Sequence, residues 1–80
     1  MSQTLQSPRH KALIALLVER RKRAGMTQAQ VARKLGRHQS FVATVESGQR
    51  RIDVVEFLDF AQVIGFDPRT AIKRLASVDT

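Results

Sequence analysis

The chain has 80 residues, enough for one small domain with a single core but too few for a deep active-site cavity. Its 14 Lys/Arg against seven Asp/Glu give a formal net charge of +7, and it has no cysteine, which excludes disulfides and thiolate chemistry and suits a reducing cytoplasm. No apolar run approaches the roughly 18 residues of a membrane span, and the N-terminus lacks the layout of a signal peptide.

Positive charge is concentrated in one part of the chain. Residues 1–51 hold eleven Lys/Arg against two glutamates, a net charge of +9, whereas residues 52–80 hold three Lys/Arg against five carboxylates, a net charge of −2. This segregation favours a face that binds a polyanion, since the alternative, a generically basic protein, would spread its charge more evenly.

The first predicted helix follows an N-terminal arm. Residues 1–6 have no periodic pattern and are predicted to be disordered. Ser7 and Pro8 then have the residue types of a helix opening, and the helix is predicted to run to about Ala24, with Gly25 as its stop. Its apolar stripe comprises Leu13, Ile14, Leu17 and Val18.

A short second helix is predicted directly after it. Thr27 and Gln30 have the spacing of a capping box, and Gly36 stands where a helix end favours positive φ. Met26 and Val31 have the spacing of a hydrophobic staple. The predicted inward face is Val31, Ala32 and Leu35, in which the small alanine allows a neighbouring helix to pack closely.

Residues 39–47 predict a third helix that ends before Gly48. Two short helices joined by a tight glycine-containing turn form a helix-turn-helix unit. Val42 and Val45 are predicted to face inward. The opposite face is small, polar and uncharged, which suits contact with base edges better than simple solvation, and it comprises Gln39, Ser40, Ala43, Thr44 and Ser47.

The fourth helix repeats the same start and stop signals. Asp53 and Glu56 have the capping-box spacing, Ile52 and Phe57 form the staple pair, and Gly65 ends the helix. Much of the core is predicted to come from this helix, through Val54, Val55, Phe57, Leu58, Ala61 and Ile64.

A fifth, short helix begins at Asp67 and Pro68, with Ala71, Ile72 and Leu75 as its apolar residues. The predicted organisation is therefore an all-α domain of five helices over residues 7–76, followed by a tail over 77–80.

From Arg21 to Asp67 the sequence resembles the phage Cro/CI-repressor type of helix-turn-helix protein, the XRE family. The resemblance implies a compact, five-helix, lambda-repressor-like domain that binds double-stranded DNA, in a family whose members are commonly dimeric repressors or antitoxins. The matching residues are Arg21, Gly25, Thr27-Gln28, Val31-Ala32, Leu35-Gly36, Ser40, Val45 through Gly48, Arg50-Arg51, Phe57-Leu58 and Gly65.

The resemblance also implies roles for individual side chains. Gln39, Ser40 and Thr44 would reach base edges in the major groove, where Gln can bond bidentately to adenine. Alternatively these positions, Thr44 in particular, could simply be exposed. Gln28 would hold a backbone phosphate and buttress the recognition helix, or be a solvated Gln at a helix start. The other expected phosphate contacts are Ser47, Arg50, Arg51 and Arg37.

One residue pair and two single residues have alternative interpretations. Arg21 and Glu46 match an ion pair that fixes helix orientation, although Arg21 could touch phosphate as well. His38 stands where the family often has a Ser or Thr cap, so it could cap the helix or approach a base or phosphate. Phe41 could belong to the core or pack on a thymine methyl group.

The leading functional prediction is a sequence-specific, double-stranded-DNA-binding transcriptional regulator, with repression favoured. We expect a homodimer that docks on half-sites about 34–36 Å apart, associating through the fifth helix and the end of the fourth. The alternatives are an antitoxin with a toxin partner, and a protein- or RNA-binding helical adaptor.

Catalysis is not expected. The sequence has no cysteine, two histidines far apart, and neither paired carboxylates at a catalytic spacing nor a phosphate-cradling glycine loop. We therefore predict no enzyme activity, cofactor or metal, no membrane association, and a cytoplasmic protein of a prokaryote or phage.

Overall fold

The computed structural model describes residues 7–79 and contains five α-helices and no strand within that range. The helices are α1 (Pro8–Arg23), α2 (Gln28–Leu35), α3 (Gln39–Glu46), α4 (Val54–Ile64) and α5 (Pro68–Ala76). This confirms the predicted all-α, five-helix fold. The predicted arm over 1–6 and the last residue of the predicted tail lie outside the described residues.

Four of the five helices in residues 7–79 begin at a side chain that accepts a hydrogen bond from an otherwise unpaired backbone N–H group. Ser7 accepts from His10 at the start of α1, and Asp67 accepts from Arg69 at the start of α5. Both predicted capping boxes, Thr27 with Gln30 and Asp53 with Glu56, have their two reciprocal hydrogen bonds. The exception is α3, where His38 makes no side-chain cap bond.

The core lies where the five helices meet. Residues from every helix contribute, and the densest packing is between α2 and α3, where Val31, Ala32, Val42 and Val45 are at most 2% exposed. Burying these side chains contributes about 1.5–3 kcal/mol for each valine. The remaining buried apolar residues are Leu16, Leu17, Phe57, Phe60, Ala61, Phe66, Ala71 and Leu75.

The prediction for the inward face of α4 was wrong at three positions. Val54, Val55 and Leu58 are 72%, 66% and 46% exposed, and Phe60, which was not predicted, is 1% exposed. The buried residues instead follow the spacing Phe57, Phe60 and Ala61, with Ile64 partly buried one turn later. This is the i, i+3, i+4, i+7 stripe of one helix face, so helical periodicity outweighs local hydrophobicity here.

The stripe of α1 is likewise rotated from the prediction. Leu16 and Leu17 are fully buried, whereas Leu13 and Ile14 pack against the core only in part. His10 is also buried, one turn before Leu13. These positions again follow a 3.6-residue period, which places the start of α1 against the rest of the domain.

An arginine joins the two ends of the described chain. Arg9 Nε donates to the Leu75 carbonyl at 3.1 Å, and its Nη2 donates to the Val78 carbonyl at 2.7 Å. The Leu75 carbonyl belongs to the last turn of α5, and the Val78 carbonyl lies just beyond the end of the helix. Arg9 therefore caps α5 and holds it against the start of α1.

No helix within residues 7–79 is long and apolar enough to cross a membrane.

Candidate nucleic-acid interface

The turn between α2 and α3 fixes how the two helices cross. Gly36 has φ +72°, the left-handed conformation that favours glycine. The Gly36 N–H donates to the Arg33 carbonyl and the Arg37 N–H donates to the Ala32 carbonyl, the two bonds of a Schellman motif. Ala32 is 2% exposed, so its small side chain allows α3 to pack close to α2.

The outward face of α3 is exposed and uncharged. Gln39, Ser40, Thr44 and Ser47 are all exposed, while Val42 and Val45 on the other side are fully buried. The Thr44 hydroxyl donates to the Ser40 carbonyl at 2.7 Å, and the Ser47 hydroxyl donates to the Thr44 carbonyl at 2.8 Å. Because each hydroxyl donates its one hydrogen to a backbone carbonyl, both oxygens can take part in further hydrogen bonds only as acceptors.

A chain of polar side chains connects this face to α1. Arg21 Nε and Nη2 donate to the two carboxylate oxygens of Glu46 at 2.6 and 2.9 Å, a bidentate pair with side chains only 12% and 8% exposed. Gln28 Nε2 donates to Glu46 at 2.9 Å, and Gln39 Nε2 donates to Gln28 Oε1 at 3.5 Å. The side chain of Gln39 is therefore linked to Arg21 on α1 through Gln28 on α2 and the carboxylate of Glu46.

The carboxylate of Glu46 is the centre of this chain. Its hydrogen bond with Arg21 raises the pKa of Arg21, and the charge attraction between them raises it further, against the opposing effect of burial. Arg21 Nη1 also donates to the Met26 carbonyl at 2.9 Å, which ties the pair to the loop before α2. The pair thus links α1, α2 and α3.

A second cluster surrounds Phe41. The guanidinium carbons of Arg37 and Arg50 lie 3.8 and 4.8 Å from the centre of the Phe41 ring. The ring itself is half-buried and lies 6.0 Å from the ring of Phe60. Phe41 is therefore a bridge between the core and two cations, which combines packing with cation–π attraction.

Glu56 holds both arginines in place. Arg50 Nη1 and Nη2 donate to the two carboxylate oxygens of Glu56 at 3.2 Å each, and Arg37 Nη1 lies 3.6 Å from Glu56 Oε2. The hydrogen bond that Glu56 accepts from the Asp53 backbone lowers the pKa of Glu56, and the Arg50 guanidinium lowers it further. From the sequence, Glu56 was predicted only to cap a helix. Its ion pair with Arg37 could not be predicted in the same way, because the two residues are far apart in sequence.

Two other predicted contact residues are less constrained. Arg51 is exposed and makes no ion pair within the described chain, residues 7–79. His38 is exposed at the start of α3, where its ring makes no cap bond, and its carbonyl accepts from the Phe41 N–H at 3.0 Å. Its imidazole is therefore free to face solvent or a ligand.

His10 is a polar residue next to this surface that sequence reasoning did not place. It is 5% exposed, and its Nε2 lies 3.3 Å from the carbonyl oxygen of Gly48, directly after α3. The signal that could have found it is the spacing His10, Leu13, Ile14, Leu17, which is one face of a helix.

The fold and this surface define a class of protein. The family model of the helix-turn-helix domain matches residues 12–75, most of the chain. The chain therefore belongs to the helix-turn-helix family, and its similarity to solved structures identifies it as the XRE type, a class of DNA-binding regulators.

The solved structures that are similar to this chain include the following two. An XRE-family-like protein from Pseudomonas syringae pv. tomato is 45% identical, with a TM-score of 0.85, and the match covers 95% of this chain and 93% of that one. The restriction-modification controller protein C.AhdI from Aeromonas hydrophila is 29% identical, with a TM-score of 0.68, covering 81% of this chain and 99% of that one. A comparison with curated proteins gave no significant match.

Proposed function

We propose that this protein is a sequence-specific transcriptional repressor that binds double-stranded DNA as a homodimer, with α3 in the major groove. The observation that carries the proposal is the outward face of α3. Its exposed side chains are short, polar and uncharged, and cations flank it at Arg37, Arg50 and Arg51. Short polar groups read base edges, whereas cations position a protein on phosphates without reading sequence.

Gln39 is the principal base-reading residue in this proposal. One of the two hydrogens on Gln39 Nε2 is donated to Gln28. The Gln39 amide therefore keeps its oxygen and its second N–H for a bidentate contact with adenine. Ser40 lies beside it on the same turn. Thr44 offers an acceptor oxygen together with a methyl group, which suits a base amino group or a thymine methyl group. His38 completes the set at the start of the helix.

The phosphate contacts fall into two kinds. Arg51 is exposed on the loop and makes no ion pair within residues 7–79, so its effect on affinity is electrostatic. Arg37 and Arg50 are held on Phe41 by Glu56, so they reach phosphate only through their remaining N–H groups. Gln28 keeps one amide hydrogen that can be donated to a phosphate at the start of α2. The Ser47 hydroxyl already donates its hydrogen to Thr44, so its oxygen can accept a hydrogen bond only from a water molecule that bridges to the phosphate.

The proposed homodimer forms through α4 and α5. The exposed large apolar residues within 7–79 are Val54, Val55 and Leu58 on the first turns of α4 and Ile72 on α5. Val54, Val55 and Leu58 lie within two turns of one helix, and neighbouring exposed apolar residues of this kind are typical of an association surface. The proposal keeps the α5 surface predicted from the sequence but takes the α4 contribution from the start of that helix, whereas the prediction took it from the end.

The decisive experiment is a selection of bound sequences from random duplex DNA at two salt concentrations. We expect a two-fold symmetric site whose half-sites lie about 34–36 Å apart. The logarithm of the binding constant should fall linearly with the logarithm of the salt concentration, with a slope of about −0.9 per phosphate contacted. Recovery of no preferred sequence, or equal binding to single strands in a filter assay, would contradict the proposal and favour a protein- or RNA-binding adaptor.

A further inference from the structure

Three charged side chains meet at the ring of Phe41, at the edge of α3. Arg37 comes from the turn before α3, Arg50 from the loop after it, and Glu56 from the first turn of α4. The two guanidinium carbons lie 3.8 and 4.8 Å from the ring centre, both within the range of about 6 Å for cation–π attraction. Glu56 forms an ion pair with each arginine. We call these four residues the Phe41 cluster.

The positive charge of the Phe41 cluster is only partly compensated. Arg37 Nη1 and Arg50 Nη2 face the same oxygen, Glu56 Oε2, at 3.6 and 3.2 Å. Two guanidinium groups and one carboxylate leave a net charge of +1, and two like charges that share one partner also repel each other. A second anion would relieve this repulsion. One backbone phosphate, which carries a single negative charge, is enough to balance the cluster.

Both arginines are open to such an anion. Their side chains are 43% and 39% exposed, whereas the side chain of Glu56 is 18% exposed. Arg50 donates to both carboxylate oxygens of Glu56 and to the Arg51 carbonyl. These three hydrogen bonds leave it two of the five N–H groups of a guanidinium. The carboxylate therefore holds the pair from the protein side and leaves donors on the solvent side.

The Phe41 cluster borders the proposed base-reading face. Phe41 directly follows Ser40 and stands three residues before Thr44, a spacing at which side chains are neighbours on a helix surface. Ser40 and Thr44 are exposed on the outward face of α3. Phosphates line the sides of the groove that such a face enters, and contacts to them fix the protein on the duplex. The cluster is therefore placed to meet the DNA backbone when α3 lies in the major groove.

The ring of Phe41 fixes the position of Arg37 in particular. The 3.6 Å between Arg37 Nη1 and Glu56 Oε2 is too long for a hydrogen bond, so the position of this guanidinium depends mainly on the stacked ring. Phe41 is half-buried and lies 6.0 Å from the core residue Phe60, which holds the ring in place. A guanidinium that is already stacked loses less conformational freedom on binding than one on an unsupported stem.

We propose that Arg37 and Arg50 jointly bind one phosphate of the DNA backbone, on the ring of Phe41, and that Glu56 limits the cluster to this single phosphate. The inference rests on the proposed function and deepens it, since two arginines that act separately would bind two phosphates. When either arginine is removed, Glu56 neutralises the other, and no net positive charge remains for the phosphate. The contact is therefore gained or lost as a unit.

The number of phosphates bound is measured from the salt dependence of the affinity. The full chain is titrated onto a mixed-sequence duplex, followed by fluorescence anisotropy at several salt concentrations, because phosphate contacts do not depend on base recognition. Arg37→Ala and Arg50→Ala should each reduce the magnitude of the salt slope by about 0.9, the value of one phosphate contact. The double variant should also reduce it by about 0.9, whereas two separate contacts would reduce it by about 1.8.

Glu56→Gln tests the role of the carboxylate. Without the compensating charge the cluster has two uncompensated guanidinium groups, so it should bind a second phosphate and increase the magnitude of the salt slope by about 0.9. Asp59→Asn is the matched control. It removes one negative charge from an exposed position of the same helix that makes no ion pair within residues 7–79, and it should leave the salt slope unchanged.

Phe41→Leu tests the positioning role of the ring. Two arginines must then be ordered during binding, so the affinity should fall by about fivefold to a hundredfold. Phe41→Tyr keeps the ring and should bind like the wild type. Phe57→Leu is the matched control: its ring also pairs with another phenylalanine ring, Phe66 at 5.9 Å, but no guanidinium within residues 7–79 stacks on it. It should lower Tm without weakening binding at a temperature at which it is folded.

The inference is overturned if the double arginine variant loses about 1.8 from the salt slope, if either single variant leaves the slope unchanged, or if Glu56→Gln does not increase it. It is also overturned if Phe41→Leu binds like the wild type, or if Phe57→Leu weakens binding equally. The slopes of the charge variants decide the question even if Phe41→Leu does not fold. A wild type that binds no duplex at low salt overturns the proposed function instead.

Discussion

The ion pair of Arg21 and Glu46 gives the most direct test of how the fold positions α3. Replacing Glu46 with alanine removes the acceptor of three hydrogen bonds, two from Arg21 at 2.6 and 2.9 Å and one from Gln28 at 2.9 Å. The Arg21 side chain is 12% exposed, so its charge would stay largely out of water with only the Met26 carbonyl as partner.

The expected loss of stability is large for a domain of this size. Removing one partner of a buried ion pair costs about 3–5 kcal/mol, because the other charge is left uncompensated. For a domain of roughly 60–100 residues each kcal/mol lowers Tm by about 4–8 °C, so Glu46→Ala should melt at least about 12 °C below the wild type. Total stabilities of about 5–15 kcal/mol mean that the variant retains little margin.

The assay is a double-mutant cycle followed by circular dichroism in urea and on heating. Arg21→Ala/Glu46→Ala should be less destabilised than the sum of the two single variants, since removing both charges leaves none buried alone. Glu19→Ala is the control: its partners Arg23 and Arg74 are more than half exposed, and its effect should stay below about 1 kcal/mol. Additivity of the single effects within about 0.5 kcal/mol would refute the reasoning.

The remaining predictions concern recognition, affinity, acid stability and assembly. Gln39→Ala should relax preference at one base pair by about 1–3 kcal/mol in a randomised-site selection while leaving the salt slope intact. Arg51→Ala should weaken binding to all sequences and reduce the salt dependence of the affinity by about one phosphate contact, without changing Tm. Arg50→Ala should have the same effects and should also lower Tm, because it breaks the ion pair with Glu56. The pKa of Glu56 is lowered in the folded state, so its carboxylate stabilises the fold fully above the ordinary glutamate pKa of about 4.3. This contribution is lost as the pH falls from that value through the lower pKa of the folded state, and Glu56→Gln should therefore flatten the urea stability profile over that range. Ile72→Lys should halve the sedimenting mass and Gln62→Lys, an exposed position on α4, should not.

Element boundaries could be predicted from the sequence because their causes are local. A cap such as Thr27 or Asp53 acts on N–H groups two or three residues away, and the glycines act on their own φ angles. The observed helices begin where these signals predict. The third helix is shorter at its end than predicted, since Ser47 is its cap and not a helical residue.

The exposed residues of α4 could not be read from hydrophobicity. Val55 and Leu58 point away from the face that Phe57 and Phe60 turn to the core, and Val54 is the first residue of the helix. The helices that pack against α4 decide which sector of its surface, about 100° wide, faces inward. Apolar residues outside that sector are then available for association, a property of the tertiary structure and not of the segment.

The polar networks were beyond prediction from residue types alone. Resemblance indicated the pair of Arg21 with Glu46, but not that Gln28 and Gln39 continue it to the surface of α3. Nor does sequence spacing indicate that Arg37 and Arg50, thirteen positions apart, stack on one ring. Such contacts depend on the crossing of helices, which local pattern does not fix.

These networks explain how a helix of eight residues can present side chains in fixed positions. An isolated helix as short as α3 is unstable in water, and this one lacks a side-chain cap at its start. Its conformation must therefore come from the burial of Val42 and Val45 and from the links at its two ends, Glu46 to α1 and Phe41 to the arginines. Loss of the Glu46 link should then loosen the orientation of Gln39 as well as the fold, so a milder Glu46→Gln variant that remains folded should bind mixed-sequence DNA normally and discriminate sites less well.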